Sequence, residues 1–122
     1  MSTVDVAQKL VSMCKERRDH EALNELFSPD AVSVEAMSLP NMPQEARGLD
    51  AIKAKGDWWR KNNEVHSVGV EGPFPNGDRF AVRFTYDVTQ KQSGQRIKMD
   101  EVALYTVKND KIVREEFFYP TG

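Results

Sequence analysis

The apolar positions along the chain change period once, and that change divides it into two halves. Between residues 3 and 18, Ala7, Leu10, Val11 and Cys14 recur at i, i+3, i+4 and i+7. This is the stripe of a helix with one buried face, and Ser2 or Thr3 suits its N-cap. Asp19 suits the cap of a second, short helix that carries Ala22, Leu23, Leu26 and Phe27 on one side. The Ser-Pro-Asp at 28–30 ends it, because proline disfavours helix in the residue before it. Residues 31–37, "AVSVEAM", read as a short strand, and 38–48, with two prolines, as a loop. A third helix is predicted over 49–63, with Ile52, Gly56 and Trp59 facing inward.

From residue 65 the period falls to two. Strands are predicted over 65–72, 79–90, 97–107 and 112–119, separated by the turn signals "PNGD", "KQSGQR" and "KNDK". The second of these alternates without a break: Phe80, Val82, Phe84, Tyr86 and Val88 on one face, Arg83, Thr85, Asp87 and Thr89 on the other. Three helices followed by a four-strand meander give an α+β fold. The expected form is a cone-shaped, curved antiparallel sheet with the three N-terminal helices packed on its concave face, in a single domain spanning residues 1–122.

One strand breaks its own pattern. In "IKMDEVALYTV", 97–107, the inward row is Ile97, Met99, Glu101, Ala103, Tyr105 and Val107. A carboxylate in a core-facing row is costly unless it is paired, protonated or in contact with a polar cavity. The alternatives are a flipped strand with Val102 and Leu104 inward, neutralisation by Arg83 or another cation, and a place at a wet rim. If none applies, Glu101 is a pocket carboxylate with a raised pKa, able to donate a proton.

The aromatic residues give that pocket walls. Phe84, Tyr86 and Tyr105 lie on inward rows, and either Trp58 or Trp59 reaches in from the third helix. The last strand offers Val113, Glu115, Phe117 and Tyr119 on one row and Ile112, Arg114, Glu116 and Phe118 on the other; the first is expected inward. Rings in these positions either fill a core or line a cavity. Glu35, in the row Ala31, Ser33, Glu35, Met37, is a second candidate carboxylate, with an exposed strand end as its alternative. Glu115 is a third, with an exposed charge cluster as the alternative. His66, in the row His66, Val68, Val70, is expected at the cavity as a hydrogen-bonded strand histidine rather than a base.

Composition narrows the function classes. The 122 residues suit one domain, and 17 Lys plus Arg against 19 Asp plus Glu leave no basic stripe for nucleic acid. One cysteine and two histidines give no disulfide framework and no metal motif. No phosphate-binding glycine loop is present, so no cofactor is expected. No apolar run approaches the ~20 residues of a membrane helix, and the N-terminus lacks a signal-peptide layout; a cytoplasmic protein is expected.

The segments "ALNELFSPDAVSVEA", "GLDAIKAKGDWW" and "VALYTVKNDKIVREEFFY", in this order and spacing, resemble the SnoaL-like group of the nuclear transport factor two superfamily, which includes polyketide cyclases and ketosteroid isomerases. The resemblance covers nearly the whole chain. It implies a cone with a deep apolar pocket and a homodimer. It also implies that Glu35 falls where ketosteroid isomerases carry their proton-shuttling Asp, and Glu101 at or near the Asp that hydrogen-bonds the substrate oxyanion. The helix-one Tyr of that pattern is replaced by Leu10 or Val11, which speaks against ketosteroid isomerisation itself. The expected function is binding of a small, largely apolar molecule in an aromatic-lined pocket. Its catalytic form would be cofactor-free acid–base chemistry of isomerase, cyclase or hydratase type, with Glu35 as base and Glu101 as acid. The alternative is a non-catalytic ligand-binding or dimerisation module of the same fold.

Overall fold

Helix α1 (Thr3–Lys15) begins where the sequence supplies a capping box: the Ser2 hydroxyl accepts from the Asp5 amide at 3.1 Å, and the Asp5 carboxylate accepts from the Ser2 amide at 3.0 Å. The computed structural model describes residues 2–39 and 42–121. The α1 stripe is buried through Val6, Ala7, Leu10, Val11, Met13 and Cys14. Helix α2 (Asp19–Leu26) follows after Arg17, whose left-handed backbone turns the chain. Asp19 is its first residue, and the cap position before it is Arg18, which makes no side-chain cap bond. Strand β1 (Phe27–Val34) then starts directly, earlier than the sequence signals.

The stretch predicted as loop contains a strand, β2 (Glu45–Arg47), paired antiparallel with β1. Gly48 links it to α3 (Leu49–Asn62) at φ +86°, a backbone region open to glycine, and its amide bonds to the Ala31 carbonyl at 2.8 Å. Four long strands complete the chain: β3 (Asn63–Asn76), β4 (Arg79–Gln90), β5 (Arg96–Lys108) and β6 (Lys111–Phe118). Asn109 and Asp110 both adopt positive φ in the two-residue turn between β5 and β6, as a type I′ hairpin requires.

The α+β architecture is as expected, with a six-stranded curved sheet ordered β2-β1-β6-β5-β4-β3. It departs from an all-antiparallel sheet at one seam: β1 runs parallel to β6. A parallel neighbour needs a long crossover, and here that crossover is everything from β2 to β5. Helix α1 packs on β3 and β4, and α3 on β1, β2 and β3. The β4 row Phe80, Val82, Phe84 and Val88 is buried, while Arg83 on the other face is exposed and pairs with Asp100 and Glu71. Among the described residues, no helix is long and apolar enough to cross a membrane.

Candidate functional site

The sheet and helices enclose a cavity of about 490 Å³. Its walls come from Leu10 and Cys14 of α1, Leu23 of α2, Ile52, Lys55, Trp58 and Trp59 of α3, and the inward rows of the sheet. Glu35, Glu101, Trp58, Trp59, Phe84, Tyr86, Tyr105, Glu115, Phe117 and Tyr119 all line it. Both tryptophans reach it, and the Trp59 ring lies 5.4 Å from that of Tyr86. Glu115 and Phe117 of β6 and Tyr119 just beyond it face the cavity, with Glu115 only 6% exposed.

His66 does not line the cavity. It is exposed and hydrogen-bonded to Thr89 at 2.7 Å. The reason is a bulge: Val65 faces Val88 and Ser67 faces Asp87, so His66 is an extra residue on β3. The extra residue breaks the row His66, Val68, Val70, and Val65 and Val68 reach the cavity instead.

Two groups of polar side chains lie within the cavity, and Arg17, Asp19, His20 and Arg60 complete its polar lining. In the first, Lys55 reaches from α3 and donates to Glu35 at 2.6 Å and to Ser33 at 2.5 Å. Ser33 donates to Glu115 at 2.7 Å, and the Tyr119 hydroxyl donates to the other oxygen of Glu35 at 3.0 Å. The Lys55 ammonium also sits 5.0 Å from the centre of the Phe117 ring, a cation–π distance. Glu35 thus has both oxygens held by donors. Burial raises the pKa of Glu115, against the opposing pull of Lys55 and the Ser33 hydrogen bond. Burial, then Glu35, pushes the Tyr119 hydroxyl up to about 12.

The second group is made of unpartnered atoms. The Glu101 carboxyl and the hydroxyls of Tyr86 and Tyr105 line the cavity and make no hydrogen bond or ion pair among the described residues. Glu101 stands directly across from Phe84 in the β4–β5 register, so its carboxyl adjoins an aromatic ring. Its pKa is pushed up to about 7, by burial first and then by Glu35 and Glu115, with Lys55 opposing. Burial also raises Tyr86 and Tyr105, leaving both as neutral donors. Burial pushes the Cys14 thiol up to about 12, which leaves it an unreactive wall residue. Leu10 stands in the lining on helix one and supplies no hydroxyl.

Chemically, the cavity combines a carboxylate already receiving hydrogen bonds, Glu35, with a carboxylic acid free to donate one, Glu101. The sequence reading missed Lys55 and Ser33. Lys55 lies three residues after Ile52 and four before Trp59, on the same helix face, and Ser33 lies two before Glu35 on the same strand row.

A family model described as a SnoaL-like domain matches residues 1–119. A solved structure from Mesorhizobium loti, described as a SnoaL-like polyketide cyclase with carbohydrate phosphatase given beside it, is 43% identical. The match covers 98% of this chain and 100% of that one, with a TM-score of 0.92. A SnoaL-like polyketide cyclase, so described, from Jannaschia sp. CCS1 is 18% identical over 95% of this chain and 83% of that one, with a TM-score of 0.75. A protein from Bacillus subtilis described as an isomerase is 17% identical over 98% and 90%, with a TM-score of 0.78. The comparison with curated proteins returns no match.

Proposed function

This chain belongs to the SnoaL-like domain family, within the nuclear transport factor two-like superfamily, and from that premise we propose that it binds a small, largely apolar molecule in the aromatic cavity. Its catalytic form is cofactor-free acid–base chemistry. The observation that carries this reading is the Glu101 carboxyl, unpartnered and facing an apolar cavity with its pKa near 7. An acid in that state gives a hydrogen bond or a proton to a ligand oxygen at neutral pH. Glu35, oriented by the donors Lys55 and Tyr119, is the group positioned to take a proton from carbon.

The simplest reaction to test is proton exchange next to a carbonyl. Cyclohexyl methyl ketone in heavy water would lose its α-protons faster with the protein than with buffer. Glu35→Gln should slow that exchange by about 100-fold, the usual share of a positioned base. Binding of the ketone without any acceleration would instead favour the non-catalytic ligand-binding module. We also propose that two copies pair through the outer face of β5 and β6. There Val102 and Phe118 stand opposite each other, 39% and 51% exposed.

A further inference from the structure

We propose that the polar end of the ligand is a basic amine, seated as an ammonium between Glu101 and the rings of Phe84, Tyr86 and Trp59. This rests on the binding half of the reading above and names the ligand class. The first observation is the ring cluster. Trp59 and Tyr86 lie 5.4 Å apart, Phe84 and Tyr86 stack at 6.2 Å, and Glu101 faces Phe84 across the β4–β5 pair. Aromatic faces carry negative potential and attract an ammonium within about 6 Å. The second is that Glu101 has no partner among the described residues, so a ligand cation displaces none of them.

The third observation is the charge around that carboxyl. It feels Glu35, just beyond β1, Glu115 of β6, and Lys55 of α3. Lys55 is committed to Glu35 and Ser33. Tyr86 on β4 and Tyr105 on its own strand are neutral. Tyr119 is engaged with Glu35. At the rim, Arg60 is paired with Asp19 and Asp57 and contacts His20, and Arg17 is exposed to solvent. The cations of the lining are therefore engaged elsewhere or open to solvent, and a ligand ammonium would supply the partner that Glu101 lacks among the described residues.

The proton balance is simple. A neutral amine entering the cavity takes the proton from protonated Glu101, giving an ammonium and a carboxylate with no net change. An amine that arrives already protonated forms the same pair, and the Glu101 proton leaves to buffer. Binding of a protonated amine at or below pH 7 therefore releases a proton.

The test compares N,N-dimethylcyclohexylamine with cyclohexyl methyl ketone, two probes of the same shape that differ in charge. Fluorescence of Trp58 and Trp59 follows binding, and calorimetry in buffers of different ionisation enthalpy counts protons. At pH 7 the amine is expected to bind at least ~10-fold more tightly than the ketone and to release about half a proton, approaching one as pH falls. In Glu101→Gln the amine should lose its advantage, binding no more tightly than the ketone does to the same variant. Equal or tighter binding of the ketone to the wild-type protein would overturn the amine seat and leave the neutral-ligand cavity standing. An amine preference that survives in Glu101→Gln would overturn the assignment to Glu101. Binding of neither probe would overturn both readings.

Discussion

At the scale of single residues, the site is decided by which carboxyl groups have partners. Glu101 has none among the described residues, and its pKa is raised from the ordinary value of 4.5 to about 7 in the folded protein. Between these values the folded chain carries more protons than the unfolded one. This contribution to stability is therefore full below about pH 4.5 and is lost as pH rises through about 7. Glutamine does not titrate. Glu101→Gln should gain about 1–3 kcal/mol on the wild-type protein between pH 5 and pH 8 in urea unfolding; a constant difference would contradict the raised pKa. Glu35 and Lys55, by contrast, are each other's partner at 2.6 Å. Lys55→Met should cost about 2–4 kcal/mol by stranding Glu35, and adding Glu35→Gln should recover part of it, as a double-mutant cycle would measure. Glu101 was visible in the sequence because a strand row exposes a misplaced charge. Lys55 was not, since a lysine on a helix usually reads as a solvated face, and Ser33 is too small to mark its row.

At the scale of elements, period and capping located three helices and the four long strands. What they could not supply was pairing. β2 is three residues long and gains its order from β1, so no periodicity announces it. β1 is parallel to β6 because the chain passes through every other strand before β6 forms, a fact about topology rather than about either segment. The bulge at His66 depends on register with β4, and it moved that histidine out of the predicted site. Register also makes a prediction at Gly69, which faces Thr85. A Cβ on Gly69 would lie 2.2 Å from the Thr85 hydroxyl oxygen. Gly69→Ala should therefore destabilise by about 1–3 kcal/mol, and Thr85→Ala in the same chain should relieve most of that. Thermal unfolding of the two variants checks it, and a single variant as stable as the wild-type protein would contradict it.

At the scale of the whole molecule, the exposed pair Val102 and Phe118 lies on the outer side of the strands that carry Glu101 and Glu115. Pairing of two copies there would stiffen the floor of the cavity from behind. Light scattering at about 50 μM should give a dimer mass, in line with the affinity of a standard-size interface, and Val102→Lys with Phe118→Lys should give a monomer. A monomeric wild-type protein would contradict the interface. The cavity itself is also a property of the whole fold, since α1, α2, α3 and the sheet all wall it. Glu101 reports on that enclosure, because its pKa rises only if the surrounding elements together keep it from water. The most direct measurement is a carboxyl carbon NMR titration of Glu101 in the native protein without ligand. The account predicts an apparent pKa of about 7. A value near 4.5 would mean a hydrated carboxylate at an open rim and would remove both the proton donor and the site built around it.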